Sequence, residues 1–305
     1  MIIDEAGVER LEHLLWPFWF GVDREVQNEH REKAAAEIDD LMELISRCGA
    51  VATVVGDPKQ SRPISPVRTD YSAIEWVMKR KRSDMLRISH RLPDMLSGLV
   101  NEFANYGGLK SAPEIAPRRL TLDYMPDVEY RQVIQQPDEV VTWVDINGVE
   151  QPKGPTSWAN DLEAKACAKI CNHLVHLTRK SIVVVTRFTA QKQIIRYYLQ
   201  RMGLESIKVT TTTGALGTQA DVVIFSLVRN NPERNAGAAG TLQDLNVAIS
   251  RSKEKLIIIG NLDMMINGLT SASSPSHRKS PARNLARLID CKYGSIVQPP
   301  HILRD

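Results

Sequence analysis

The chain has 305 residues, 43% hydrophobic and 25% charged, with a net charge of +3, which is room for one large or two medium cores and an ordinary globular composition. That composition excludes a disordered or collagen-like chain, and no apolar run reaches the ~18–20 residues that a membrane-spanning helix needs. The mild basicity permits nucleic-acid binding without arguing for it, because a local stripe matters more than the sum. No signal peptide is expected, since Asp4 and Glu5 stand where a basic region belongs. The four cysteines (Cys48, Cys167, Cys171, Cys291) have no zinc spacing. Cys167 and Cys171, one helical turn apart, are expected on a buried helix face, and a reducing, intracellular setting (cytoplasm or nucleus) follows.

Along the chain, short runs rich in β-branched residues alternate with helical patterns. The runs are 2–3, 51–55, 140–146, 182–186, 207–210, 222–227 and 256–259. Unbroken runs such as Ile182-Val183-Val184-Val185 suit strands covered on both faces of a parallel sheet. Ile38, Leu41, Met42 and Ile45 repeat at helical spacing beside a charged face that begins at Asp23. Asn160-Asp161 is a helix start predicted to run to Leu177, and a second helix runs from Thr189 to Met202, stopped by Gly203. A further helix is predicted from Leu245 to Lys253, leading into the strand at 256. The class is therefore α/β with mostly parallel sheets. Two domains are expected, 1–84 and 85–305. The stretch 112–136 reads as a surface connection, and the Ser/Pro-rich segment 270–281 as a loop.

Four segments carry chemistry. Asp4-Glu5 follows an apolar lead-in; the pair suits Mg²⁺ binding and activation of a water, and equally a helix N-terminus. Gly56-Asp57-Pro58-Lys59-Gln60 follows a strand directly, where α/β sheets place ligand groups. Gln60 could sense a phosphate or orient a water, against the plainer reading of a Gly-Asp-Pro turn. Arg91 lies before Pro93, which can open a helix; its planar guanidinium suits phosphate, or it is a surface arginine. Arg251 follows the buried positions Leu245, Ala248 and Ile249 and is free to point elsewhere, as a second phosphate-facing arginine. The aromatic run 16–20 can stack bases or pack against the protein, and the basic run 79–82 can touch phosphates or end a helix in solvent.

Together, Asp4-Glu5-Ala6-Gly7, Gly56 to Gln60, Ser89-His90-Arg91-Leu92-Pro93 and Leu245 to Lys253 resemble, in order and spacing, the motifs of superfamily 1 helicases of subgroup B, the Upf-like branch. Val185 to Gln191 and Thr211 to Arg229 resemble two further motifs, so the likeness spans roughly residues 2–261. The resemblance implies a RecA-like P-loop NTPase fold: a partial first RecA-like domain and a complete second one, closing on ATP and Mg²⁺ while single-stranded DNA or RNA crosses both. It implies that Asp4 holds Mg²⁺, Glu5 is the general base, Gln60 meets the γ-phosphate or its water, and Arg91 and Arg251 are arginine fingers. Gly217 and Gln219 would lie at the nucleotide, and Thr186, Arg187 and Thr211 near the nucleic-acid backbone. Two departures stand out. The phosphate loop Gly-x-x-x-x-Gly-Lys-Ser/Thr is absent from these residues; Tyr106-Gly107-Gly108-Leu109-Lys110-Ser111 is its nearest echo and lacks the glycine before the lysine. An N-terminal segment or a partner chain would have to supply it. Where the family usually has Phe, Gln and Glu, this chain has Ala215, Leu216 and Gln219. A non-catalytic nucleic-acid-binding or assembly module derived from a helicase is the alternative, and a truncated product without an independent role a third.

Overall fold

A computed structural model describes residues 2–3, 53–60, 74–75, 78, 83–134, 139–237, 241–270 and 281–303. Asp4, Glu5, Cys48, the 16–20 and 79–82 runs, the helix expected from Asp23 and the interior of the 270–281 loop lie outside those residues. The chain divides into two compact units, Met1–Met85 and Leu86–Asp305. In the first, β1 (Ile2–Ile3) pairs in parallel with β2 (Thr53–Val54), Ile2 opposite Thr53.

The second unit opens with β3 (Ile88–Ser89), α1 (Asp94–Ala104), β4 (Lys110–Ser111) and a short α2 (Arg131–Ile134). Then come β5 (Val141–Asp145), the antiparallel hairpin β6 (Glu150–Pro152) and β7 (Trp158–Asn160), α3 (Asp161–Leu177), β8 (Ile182–Thr186), α4 (Thr189–Arg201) and β9 (Lys208–Thr211). The chain continues through β10 (Ala220–Ser226), β11 (Asn235–Gly237), α5 (Leu242–Ile249), β12 (Ser252–Gly260), α6 (Leu262–Asn267), β13 (Leu269–Thr270), α7 (Pro281–Leu288) and β14 (Gly294–Val297).

Six of these strands form one sheet in the order β14-β5-β12-β10-β8-β9, every neighbour parallel. Alternate side chains feed two cores. Val223 and Phe225 of β10 face α1, α5 and α7; Val222 and Ile224 face α3 and α4. Covering both faces explains why these strands read as unbroken apolar runs. Each fully buried Val, Ile or Phe contributes about 1.5–3 kcal/mol, so the doubly covered sheet is the rigid frame on which the site residues sit. Cys167 and Cys171 are buried on one face of α3, where burial raises both thiols.

Several elements differ from expectation. The helix predicted through Lys253 ends at Ile249, and Ser252 already pairs with Ala220, so β12 starts four residues before the expected strand. Its extra turn of strand holds Glu254 and Lys255, both buried. Lys255 Nζ donates to Glu139 O and Thr142 Oγ1, each at 2.8 Å, and burial brings its pKa down to about 7. Internal partners for charged residues made a strand look like a polar helix end. Finally, β14, a short mixed sequence on the sheet edge, and the β6–β7 hairpin carry no apolar periodicity and were not expected.

Candidate functional site

Because the sheet is parallel, its two edges are chemically distinct, and the expected site residues divide between them. Thr186 ends β8 opposite Thr211, which ends β9, so Arg187 and Thr212 leave the carboxyl edge side by side. Thr212 N donates to Thr186 O at 2.9 Å. Gln219 and Arg251 stand at the opposite, amino edge, immediately before the paired residues Ala220 and Ser252; Ala220 N donates to Arg251 O at 3.2 Å. Residues expected at the nucleic acid thus share one edge, and three of those expected at the nucleotide, Gly217, Gln219 and Arg251, belong to the other.

At the carboxyl edge, Arg187 is 28% exposed and its Nη1 lies 3.3 Å from Asp244 Oδ1. The same oxygen accepts from Thr212 Oγ1 at 2.8 Å. Asp244 belongs to the first turn of α5, whose N-cap Thr241 accepts from Asp244 N at 3.3 Å and donates to Asp244 Oδ2 at 3.0 Å. Thr211 is half-buried, its hydroxyl accepting from Gly214 N at 3.2 Å. Thr186 requires a correction. It is 0% exposed, because the final side chain of β8 turns into the core, so its hydroxyl cannot meet a strand at the surface. Asp244 was not singled out from the sequence; the signal that could have found it is the Thr-x-x-Asp capping pattern at 241–244.

Beside this cluster a buried polar network braces the exit of β10. Glu163 is 0% exposed; its oxygens accept from Asn160 Nδ2 (3.2 Å), Ser226 Oγ (2.7 Å) and Val228 N (2.9 Å). Asn160 caps α3 by accepting from Glu163 N, and its Nδ2 also donates to Gly148 O and Val228 O. Gln191 joins through Asn160 and Ser226. Burial pushes the Glu163 carboxyl up to about 8, against hydrogen bonds from the Val228 backbone and the Ser226 hydroxyl that favour its charged form. The network holds Val228 at φ 74°, a left-handed conformation rare for a β-branched residue. The turn delivers Arg229, whose guanidinium lies 4.2 Å from the Trp158 ring centroid and whose Nε lies 3.0 Å from Glu150 Oε2. Three sequence-distant segments meet here, so no local motif announces it.

The remaining expected residues are placed as follows. Gln60 closes a turn in which Asp57 accepts from Lys59 N at 2.9 Å and from Gln60 Nε2 at 2.8 Å. Arg91 lies in the turn before α1, its backbone N–H donating to Ser89 Oγ at 3.3 Å, and Pro93 stands at the N-cap. Gly217 and Gln219 are exposed on the β9-to-β10 crossover, where Gly217 adopts φ 70°, a position suited to glycine. Arg251, expected to point away, folds back on its own helix end instead. It is 4% exposed, with Nε donating to Val247 O and Nη2 to Ser250 Oγ, each at 3.2 Å. Gln219 is thus open to solvent and Arg251 is buried. Among the described residues no group of three or more His, Cys, Asp or Glu could hold a metal ion. No helix among them is long and apolar enough to cross a membrane.

The family model described as "AAA domain" (AAA_12) matches residues 69–263, well over half of the chain. The chain is 27% identical over 220 residues to DNA polymerase alpha-associated DNA helicase A of Schizosaccharomyces pombe, a match covering 68% of this chain and 33% of that protein. It is 26% identical to the regulator of nonsense transcripts 1 homolog of Drosophila melanogaster (58% and 15% covered) and 24% identical to the ATP-dependent helicase NAM7 of Saccharomyces cerevisiae (74% and 24%). These matches span about a third or less of each relative. Among solved structures, a DNA complex of Arterivirus nonstructural protein 10 (helicase) aligns with a TM-score of 0.41 at 12% identity, covering 88% of this chain and 41% of that one. The chain belongs to the AAA_12 family, among the Upf1-like helicases of superfamily 1.

Proposed function

We propose that this chain carries part of the motor of an ATP-dependent helicase or translocase acting on single-stranded DNA or RNA. The observation that carries the reading is that partly exposed Arg187 and half-buried Thr211 stand together at the carboxyl edge of a parallel sheet, a cation and a hydroxyl suited to phosphate. The names of the relatives, ATP-dependent helicases among them, support it. In this reading Asp4 holds Mg²⁺, Glu5 is the general base, Gln60 orients a water, and Gly217 and Gln219 meet the nucleotide. Arg91 and Arg251 stabilise transition-state charge, Arg251 only after leaving its contacts with Val247 and Ser250. Mg²⁺, when bound, neutralises charge developing on the phosphates. The phosphate loop comes from a segment or partner other than these residues.

The test is binding of single-stranded DNA and RNA by the 305-residue chain across a salt series, with ATP hydrolysis followed in the same samples. Expected are salt-dependent binding, weakened about three- to ten-fold by Arg187→Ala, and weak turnover. Failure to bind any single strand sinks the reading. Robust strand-stimulated turnover by these residues alone, lost in Glu5→Gln, keeps the helicase and overturns the external phosphate loop. A second reading, a non-catalytic nucleic-acid-binding module, is favoured by the burial of Arg251; strand binding indifferent to nucleotide would support it.

A further inference from the structure

Asp244 does more than cap a helix. An N-terminus needs one side chain to accept from its first turn, and Thr241 supplies that through Asp244 N. The Asp244 carboxylate is nevertheless 7% exposed and fixed by two hydroxyls, Thr241 on Oδ2 and Thr212 on Oδ1, so that it stands 3.3 Å from Arg187 Nη1. The partly exposed arginine at the carboxyl edge of the sheet therefore has a carboxylate behind it, supplied by the protein. A phosphate approaching Arg187 meets a cation already paired, and less counterion is released when it docks.

We propose that Asp244 is a built-in counter-anion that competes with nucleic-acid phosphate for Arg187 and so limits how tightly this unit holds a single strand. The proposal rests on the reading of Arg187 as a nucleic-acid contact. It makes Asp244 a positioning residue that acts through Arg187, and it gives the strand contact a weak hold suited to repeated release.

The test uses the 305-residue chain and a fluorescent oligo-dT and oligo-U strand, titrated between 50 and 300 mM salt, values on the scale where phosphate contacts respond. In Asp244→Asn, which keeps the shape and the acceptor for Thr212, binding is expected to tighten about three- to ten-fold, with the slope of log affinity against log salt steeper by about 0.7. A capping defect alone would not steepen that slope. Arg187→Ala/Asp244→Asn is expected to show none of the gain. Should the Asn variant fail to fold by circular dichroism, Asp244→Ser is expected to show the same gain. If Arg187→Ala weakens binding while Asp244→Asn leaves affinity and slope unchanged, or weakens them, the proposal alone is overturned. If Arg187→Ala has no effect, the reading of Arg187 fails and the proposal falls with it.

Discussion

Glu163 sits in full burial with three donors around it, and the two influences oppose each other. Burial disfavours the carboxylate and dominates, lifting the pKa from 4.5 to about 8. A group whose folded pKa exceeds its unfolded one stabilises most below the unfolded value, and that contribution is lost as pH rises through the folded pKa. The stability of the Leu86–Asp305 unit should therefore fall between about pH 4.5 and 8 through this residue, by up to about 5 kcal/mol at ~1.4 kcal/mol per unit. Glu163→Gln, which cannot ionise, should flatten that part of the profile. The measurement is urea unfolding at pH 5, 6.5 and 8 for both proteins; identical slopes with pH would show that the three donors win.

At the scale of elements, α3 illustrates how a routine signal gains a second job. Asn and Asp are nearly equivalent N-caps on exposed helices. Here Asn160 also donates through Nδ2 to Gly148 O, Val228 O and Glu163 Oε1. Asn160→Asp keeps the cap, removes those donations and sets a second carboxylate beside Glu163. A loss of roughly 3 kcal/mol or more is expected from the unsatisfied buried groups, measured by thermal and urea melts; a change under ~0.5 kcal/mol would mean the network is not holding the turn. The cap itself was legible in the sequence, because Asn160-Asp161 precedes a periodic run. The doubly covered strands were legible as well, since burial on both faces demands unbroken apolar residues. What escaped was whatever depends on distant partners. Lys255 and Glu254 look solvent-facing until Thr142 and Glu139 pair with the first and Lys180 with the second. Asp244 looks like an ordinary first-turn acid until β8 and β9 bring Arg187 and Thr212 to it.

At the scale of the whole molecule, Met1–Met85 and Leu86–Asp305 are separate compact units. Among the described residues, every member of the two clusters lies between Leu92 and Leu303, with nothing drawn from Met1–Met85. A compact unit with a hydrophobic core of its own can in principle fold alone. The segment Leu86–Asp305 should therefore express as a folded domain, melting in one cooperative transition within a few degrees of the matching transition in the full chain. It keeps Arg187, Thr211, Thr212 and Asp244, so single-strand affinity should stay within about three-fold, with the same salt slope. It leaves behind Asp4, Glu5 and Gln60, so any response of strand binding to ATP present in the full chain should vanish. Near-ultraviolet circular dichroism, calorimetry and strand titration decide the matter. A segment without fixed tertiary structure would show that residues before Leu86 complete the core. A segment that folds but no longer binds strands would move the nucleic-acid contact out of this unit, away from the Arg187 edge.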